Sequence, residues 1–327
     1  MKGDGNLKRI ALGGALMLLA AMVFAGGAQE AEEASEIAPE CQLVRFVEVN
    51  WMDIEATTAT TRLVLEGLGY ETTSEVVSVP IAYQALESDD ADVFLGNWMP
   101  SMATISDAFI KDRGTVESVQ TNLEGAKYTL AVPRYVYEAG VQNFADLIDY
   151  KDEFGANIYG IEAGNDGNEL IQQMIDEDAF GLSAFELIES SEAGMLGEVN
   201  SASRNEEWIV FLGWQPHPMN TEFEIEYLSG GDDYFGPDYG AATVHTNVRT
   251  GYTEECTNVG QFLENLRFTV EMENEIMAAI DAGHDARDAG HDWLVANPEI
   301  LEDWLDGVVA LDGSDGLSAV RAALGIE

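Results

Sequence analysis

The sequence predicts an α/β protein of two lobes with a ligand cleft between them. Two observations carry this. Strand and helix patterns alternate from residue 41 to about 95 and again from 127 to about 215, with a helical tail behind them, the rhythm of parallel sheets with crossover helices. Two stretches of one design, Asp92-Val-Phe-Leu-Gly-Asn-Trp-Met-Pro100 and Phe211-Leu-Gly-Trp-Gln-Pro-His-Pro-Met219, fall one in each set. Each holds a Trp at the end of an apolar strand, and prolines then block a continuing helix or ladder. A Trp held on a stiff turn presents an indole face at a fixed place. With 327 residues the chain can bury the core of one large or two ordinary domains.

In chain order, Lys8 and Arg9 form a basic start, Ile10 to Phe24 an apolar run, and Ala25-Gly-Gly-Ala28 a small-residue segment. This predicts a signal peptide over 1–28, cut after Ala25 or Ala28, and export to the periplasmic or extracytoplasmic side. The run is shorter than the roughly 20 residues of a membrane span; the alternative is one uncleaved N-terminal anchor. No Cys stands at the cleavage region, so no lipid anchor is expected there. Residues 29–40 read as a flexible acidic lead-in.

Cys41 to Glu48 then alternates as a strand. Met52 to Glu66 reads as a helix with Asp53 at the N-cap and Gly67 and Gly69 as its stop. Its β-branched threonines weaken helix propensity, so packing must hold it. Strands are expected at 71–79, closed by Pro80, and at 91–95, with a short helix from Ala82 to Leu86 between them. The second set opens with a strand at 127–132 and a helix at 143–150 capped by Asn143. A strand at 158–161 follows, then the loop Gly164-Asn-Asp-Gly-Asn168 and a helix at 169–176. A strand at 185–189, a helix near 194–202 and the strand at Ile209 complete it. A strand at 241–247 leads back to the first lobe, before helices at 259–266, 272–282, 285–296 and 298–305. The division is 41–122 with 235–327 for lobe I, and 123–234 for lobe II. Ligands of such a pair bind at the carboxyl ends of the strands, in the cleft.

Charge excludes whole classes of partner. Removing residues 1–28 takes Lys2, Lys8, Arg9 and Asp4 from 15 basic and 60 acidic residues, leaving 12 and 59 and a formal charge of −47. No basic surface remains to neutralise nucleic-acid phosphates or to dock on anionic headgroups. Adaptation to a salty medium, which screens self-repulsion, accounts for most of these carboxylates. Cys41 and Cys256 are the two cysteines. In an exported chain an even count favours one disulfide over two free thiols, tying the first strand to the region around 253–258.

The candidate site residues stand where strands end. Trp51, Trp98 and Trp214 follow three different strands and Tyr128 lies in a fourth. Each ring face is the negative pole of a quadrupole and attracts a cation that has no hydrogen to donate, at on the order of 2 kcal/mol per desolvated contact. Ordinary core is the competing role, and it is the one assigned to Trp208, Trp293 and Trp304. Asp53, besides capping a helix, stands two residues past Trp51 and can accept a ligand hydroxyl. Asn165 and Asn168 lie in a Gly-bounded loop at a helix start, without the Lys-Ser/Thr of a phosphate loop. His217 has no visible base–nucleophile partner. Catalysis finds little support: no Gly-x-Ser-x-Gly turn, no His-Glu-x-x-His and no Cys–His pair occurs. His284, Asp288 and His291 make only a weak metal pattern, outweighed by a solvated helix face. No cofactor and no metal is expected. A carboxylate hydrolase remains the competing class.

Taken together, Trp51-Met-Asp-Ile, Val93-Phe-Leu-Gly-Asn-Trp-Met-Pro100, Gly125-Ala-Lys-Tyr-Thr-Leu-Ala131, Gly160-Ile-Glu-Ala-Gly-Asn-Asp-Gly-Asn168, Phe211-Leu-Gly-Trp-Gln-Pro-His-Pro-Met-Asn220 and Met272-Glu-Asn-Glu-Ile-Met277 closely resemble choline-binding periplasmic proteins of ABC importers. These belong to the wider glycine betaine/proline-type group. The resemblance covers roughly 41–310. It implies a two-lobe periplasmic binding protein fold (type II-like), each lobe a mixed β-sheet flanked by helices, that closes on a quaternary ammonium cation. It also implies a box of Trp51, Trp98, Tyr128 and Trp214, with Asp53 and Asn165 at the hydroxyl end. The Cys41–Cys256 bridge fits the same family. The partners implied are choline and the permease subunits of an ABC transporter, with the protein itself a monomer. A betaine carboxylate wants Arg, Lys or free N–H groups, whereas the motifs here supply Asp53; Lys127 points to the opposite face from Tyr128. Choline is therefore favoured over glycine betaine, and acetylcholine is a weaker possibility.

Overall fold

The computed structural model describes residues 38–326. The expected signal peptide and nearly all of the acidic lead-in lie outside the described residues. Among these, nine strands form one hydrogen-bonded sheet: β1 (Leu43–Glu48), β2 (Glu71–Val76), β3 (Val93–Met99), β4 (Val116–Pro133), β5 (Asn157–Tyr159), β6 (Glu186–Ile188), β7 (Phe211–Gln215), β8 (Ile225–Tyr227) and β9 (Ala241–Arg249). Their order is β2-β1-β3-β9-β4-β7-β5-β6, with β8 on β4.

The two βαβ sets appear as two parallel trios. β1 pairs in parallel with β2 and β3, and β5 with β6 and β7. Between them β9 and β4 run antiparallel to their neighbours. The result is the mixed α/β, two-lobe architecture of periplasmic binding proteins. β4 belongs to both halves: it pairs with β9 as far as Lys127 and with β7 from Lys127 onward. Three register shifts between Ser118 and Ala126 interrupt its ladder with β9, and bulges of this kind bend and twist a strand. The polar run from Glu117 to Gly125 hid this first part of β4 from pattern reading, which placed the strand at 127–132.

Several local expectations change. Pro80 does not close a strand; β2 ends at Val76 and Pro80 sits in the first turn of the Val79–Glu87 helix, where its missing N–H costs nothing. Asp53 is not an N-cap. Trp51 holds the cap position of the Met52–Gly67 helix, with no side-chain cap bond, and Asp53 is buried in its first turn. The threonines of that helix bond back into it: Thr57, Thr60 and Thr61 donate to the carbonyls of Asp53, Ala56 and Thr57. Asn143 caps as expected, in a capping box with Asp146. The helix after the Gly164–Asn168 loop begins three residues early, as Asp166–Asp176, because Asn165 caps it. A final helix, Gly316–Leu324, was not foreseen.

Cys41 and Cys256 are joined in a disulfide with Cα atoms 5.4 Å apart. Nearby, buried Asp92 pairs with Arg45 at 2.7 Å and Arg249 at 2.9 Å, fastening β1 to β9. Among the described residues no helix is long and apolar enough to cross a membrane. Of the tryptophans assigned to core, Trp304 is fully buried, while Trp208 and Trp293 are only half-buried at the edge of the core.

Candidate functional site

The junction of the two halves encloses a cavity with about 270 Å³ of empty space, lined by Trp51, Asp53, Trp98, Tyr128, Ile161, Asn165, Asp166 and Trp214. All six residues expected to bind ligand thus line one cavity, and no Lys or Arg joins them there.

Each ring is fixed by a specific device. Tyr128 and Trp214 stand opposite each other across the β4/β7 ladder, with ring centroids 6.3 Å apart and planes at 76°. Trp98, near the end of β3, lies 6.0 Å from Tyr128. Both Trp98 and Trp214 are strand residues rather than followers of strands, and the bonds Met99–Pro100 and Gln215–Pro216 just beyond them are both cis. The Trp98 indole N–H donates to Asp53 Oδ2 at 3.1 Å. The Trp51 N–H donates to Glu162 Oε1 at 2.9 Å, crossing from the first half to the second. The Tyr128 hydroxyl donates to Asn165 Oδ1 at 2.9 Å. With the polar edges of Trp51, Trp98 and Tyr128 tied back, the ring faces are left for the cavity, and each of the four rings is 4–6% exposed.

Glycine at 167 is required by this arrangement, because a Cβ there would coincide with the Tyr128 hydroxyl. Phe235 packs edge-on against Tyr128 at 5.8 Å. Lys127 lies away from the box, its ammonium 5.1 Å from the Tyr227 ring and 5.7 Å from that of Tyr239.

Asn165 is already engaged. Its carbonyl oxygen accepts from Tyr128 and from the backbone N–H groups of Gly167 and Asn168. Asn168 holds the backbone of Ile161 and Glu162 and lies off the cavity lining. Asp53 is 2% exposed; burial pushes its carboxyl up to about 7, the nearby Glu192 adds to this, and His217 and the Trp98 N–H oppose it. Burial likewise pushes Asp166 up to about 7.

The fold also brings together acids that the sequence did not single out. Glu192 accepts the Met52 backbone N–H at 3.2 Å and meets His217 Nε2 at 3.1 Å. His217 stands edge-on to Trp214 at 5.0 Å and takes the Met219 N–H on Nδ1, so its ring supports the box wall. Burial raises Glu162, and it raises Glu273 well above the usual carboxyl range, with Asp53 adding to the latter. Among 60 acids no local pattern marks these few; only Asp166, beside Asn165 in the Gly-bounded loop, had a usable signal. His284 precedes the Ala286–Ala296 helix that carries Asp288 and His291, so the three do not share a helix face.

With this geometry, similarity to known proteins becomes informative. Residues 42–296 match the family described as the substrate binding domain of ABC-type glycine betaine transport systems. The chain belongs to that family. It is a family of binding domains, not of enzymes. A solved ABC-transporter choline binding protein in complex with choline is 54% identical, over 88% of this chain and all of that one, with a TM-score of 0.86. An unliganded semi-closed form, also 54% identical over 88% of this chain and 99% of that one, gives 0.80. An uncharacterized protein of Chromohalobacter salexigens is 62% identical over 133 residues, 41% of this chain and 85% of that protein. The glycine betaine/carnitine transport binding protein of Listeria monocytogenes is 30% identical over 51% of this chain and 55% of that protein.

Proposed function

We propose that this protein captures choline outside the cytoplasmic membrane and delivers it to the permease of an ABC importer. Trp51, Trp98, Tyr128 and Trp214 hold the trimethylammonium group by cation–π contact, and Asp53 accepts the ligand hydroxyl. The observation that carries the reading is a small cavity walled by four aromatic residues and two carboxylates, with no basic side chain. Such a lining favours a cation with no N–H to donate. The 54% identity to a choline-bound protein over nearly the whole fold supports it. Asn165 stands with Asp53 at the hydroxyl end: its oxygen is engaged by Tyr128, so its amide N–H is the group left to donate to the ligand's hydroxyl oxygen.

Glycine betaine is the second reading, favoured by the family's own description. Its carboxylate would need cationic or N–H partners, and the cavity lining supplies two carboxylates instead. Export through residues 1–28, a monomeric state, and lobes at 41–122 with 235–327 and at 123–234 complete the proposal. The change of partner along β4 near Lys127 supports the lobe division. Calorimetric titration of the mature protein tests the function: choline binds with micromolar or better affinity and glycine betaine at least about tenfold more weakly, a gap of 1.4 kcal/mol. Absence of heat with either ligand would refute it.

A further inference from the structure

Two buried oxygens on the cavity lack any partner: Asp53 Oδ1 and Asp166 Oδ2. Asp166 is 3% exposed, and its other oxygen accepts the Asn165 amide at 3.2 Å, which fixes the carboxyl and leaves Oδ2 open. The third acceptor nearby, Asn165 Oδ1, already takes three donors. Choline offers a single O–H, which cannot satisfy both carboxylates. The acceptor that does not take the hydroxyl is therefore set against the charge of the ligand.

We propose that Asp166 is a specificity-determining residue of this site: its carboxylate answers the net positive charge of a quaternary ammonium and turns away zwitterions, whose own carboxylate would meet it. The inference rests on the quaternary-ammonium reading of the box. Asp166 is the first residue of an eleven-residue helix, so the positive end of the helix dipole favours its ionised form, while the Gly167 and Asn168 N–H groups there are already taken by Asn165. The anion drawn to this helix end is thus supplied by the protein itself, and the end is not free to receive a ligand carboxylate. The groups acting on Asp166 are the Ser101 hydroxyl, which favours its charged form, and Glu162, Glu169, Tyr128 and Tyr83, which oppose it; none of them is a cation that would cancel its charge.

The experiment compares choline, tetramethylammonium and glycine betaine by calorimetry on the wild-type protein and on Asp166→Asn. The variant should bind choline and tetramethylammonium each at least about tenfold more weakly, with glycine betaine unchanged or tighter, so that the choline-to-betaine preference narrows by the same factor. An unchanged preference, with choline still binding the wild type, overturns this inference alone. A loss confined to choline also overturns it, since Asp166 would then be serving the hydroxyl. A wild type that binds none of the three overturns the box reading and this inference with it. Should circular dichroism show Asp166→Asn unfolded, carboxyl ¹³C titration of the aspartate-labelled wild type decides. Tetramethylammonium should lower the Asp166 midpoint, and an unmoved midpoint overturns the proposal.

Discussion

Asp53 is the residue on which several demands meet. It holds Trp98 by the indole N–H, it keeps one oxygen open to the cavity, and it is buried beside other acids. Burial places its carboxyl and that of Asp166 near 7, well above their unfolded range near 3.9. At these two sites the folded protein retains protons that the unfolded chain has lost between about pH 4 and 7, so their contribution to the stability of the ligand-free protein falls as pH rises through that window. A bound cation has the opposite preference, because it favours the ionised carboxylates. Choline binding should release protons near neutrality, and its affinity should weaken by about tenfold or more from pH 8 to pH 5. Calorimetry in buffers of different ionisation heat measures both. An affinity flat across that range would mean that neither carboxylate changes state with the ligand. In the sequence, Asp53 was legible as a site residue but not as a buried one, because its position beside Trp51 looked like a helix cap. The acids at Glu162, Glu192 and Glu273 were illegible, since only the tertiary fold buries them.

At the scale of elements, the parallel trios were legible because their inner strands β1, β3 and β7 are largely apolar and the strands are bounded by Gly, Pro and helix patterns. β4 was half visible. Its second part, Lys127 to Pro133, is nearly all buried, but its first part runs through half-exposed polar residues where alternation fails. The Asp166–Asp176 helix shows why a loop residue can control a distant ring. Asn165 at its cap holds the Tyr128 hydroxyl, and Gly167 in its first turn makes room for it. Gly167→Ala should displace Tyr128 and weaken choline binding by about tenfold or more, the scale of one lost cation–π contact. Adding Tyr128→Phe removes the colliding hydroxyl and should recover much of that loss. Calorimetry on the single and double variants measures this, and equal affinities for wild type and Gly167→Ala would show that the ring position does not depend on this approach.

For the molecule as a whole, the decisive feature is that neither half makes the box. Trp51 and Trp98 come from the side of β1 and β3, Tyr128 and Trp214 from the ladder of β4 and β7. Hydrogen bonds from Trp51 to Glu162 and from the Met52 N–H to Glu192 run between the halves. A cation between them gives both halves a reason to meet, whereas a neutral ligand offers only its apolar area. The charge of −45 excluded nucleic acid from the sequence alone, but it could not say which carboxylates face the ligand. The most direct test of the account is a parallel calorimetric titration with choline and 3,3-dimethylbutan-1-ol, which replaces the nitrogen by carbon and keeps shape and hydroxyl. The neutral isostere should bind at least about a hundredfold more weakly, as two or more cation–π contacts vanish together. Comparable affinities would contradict it, because the box would then be reading shape rather than charge.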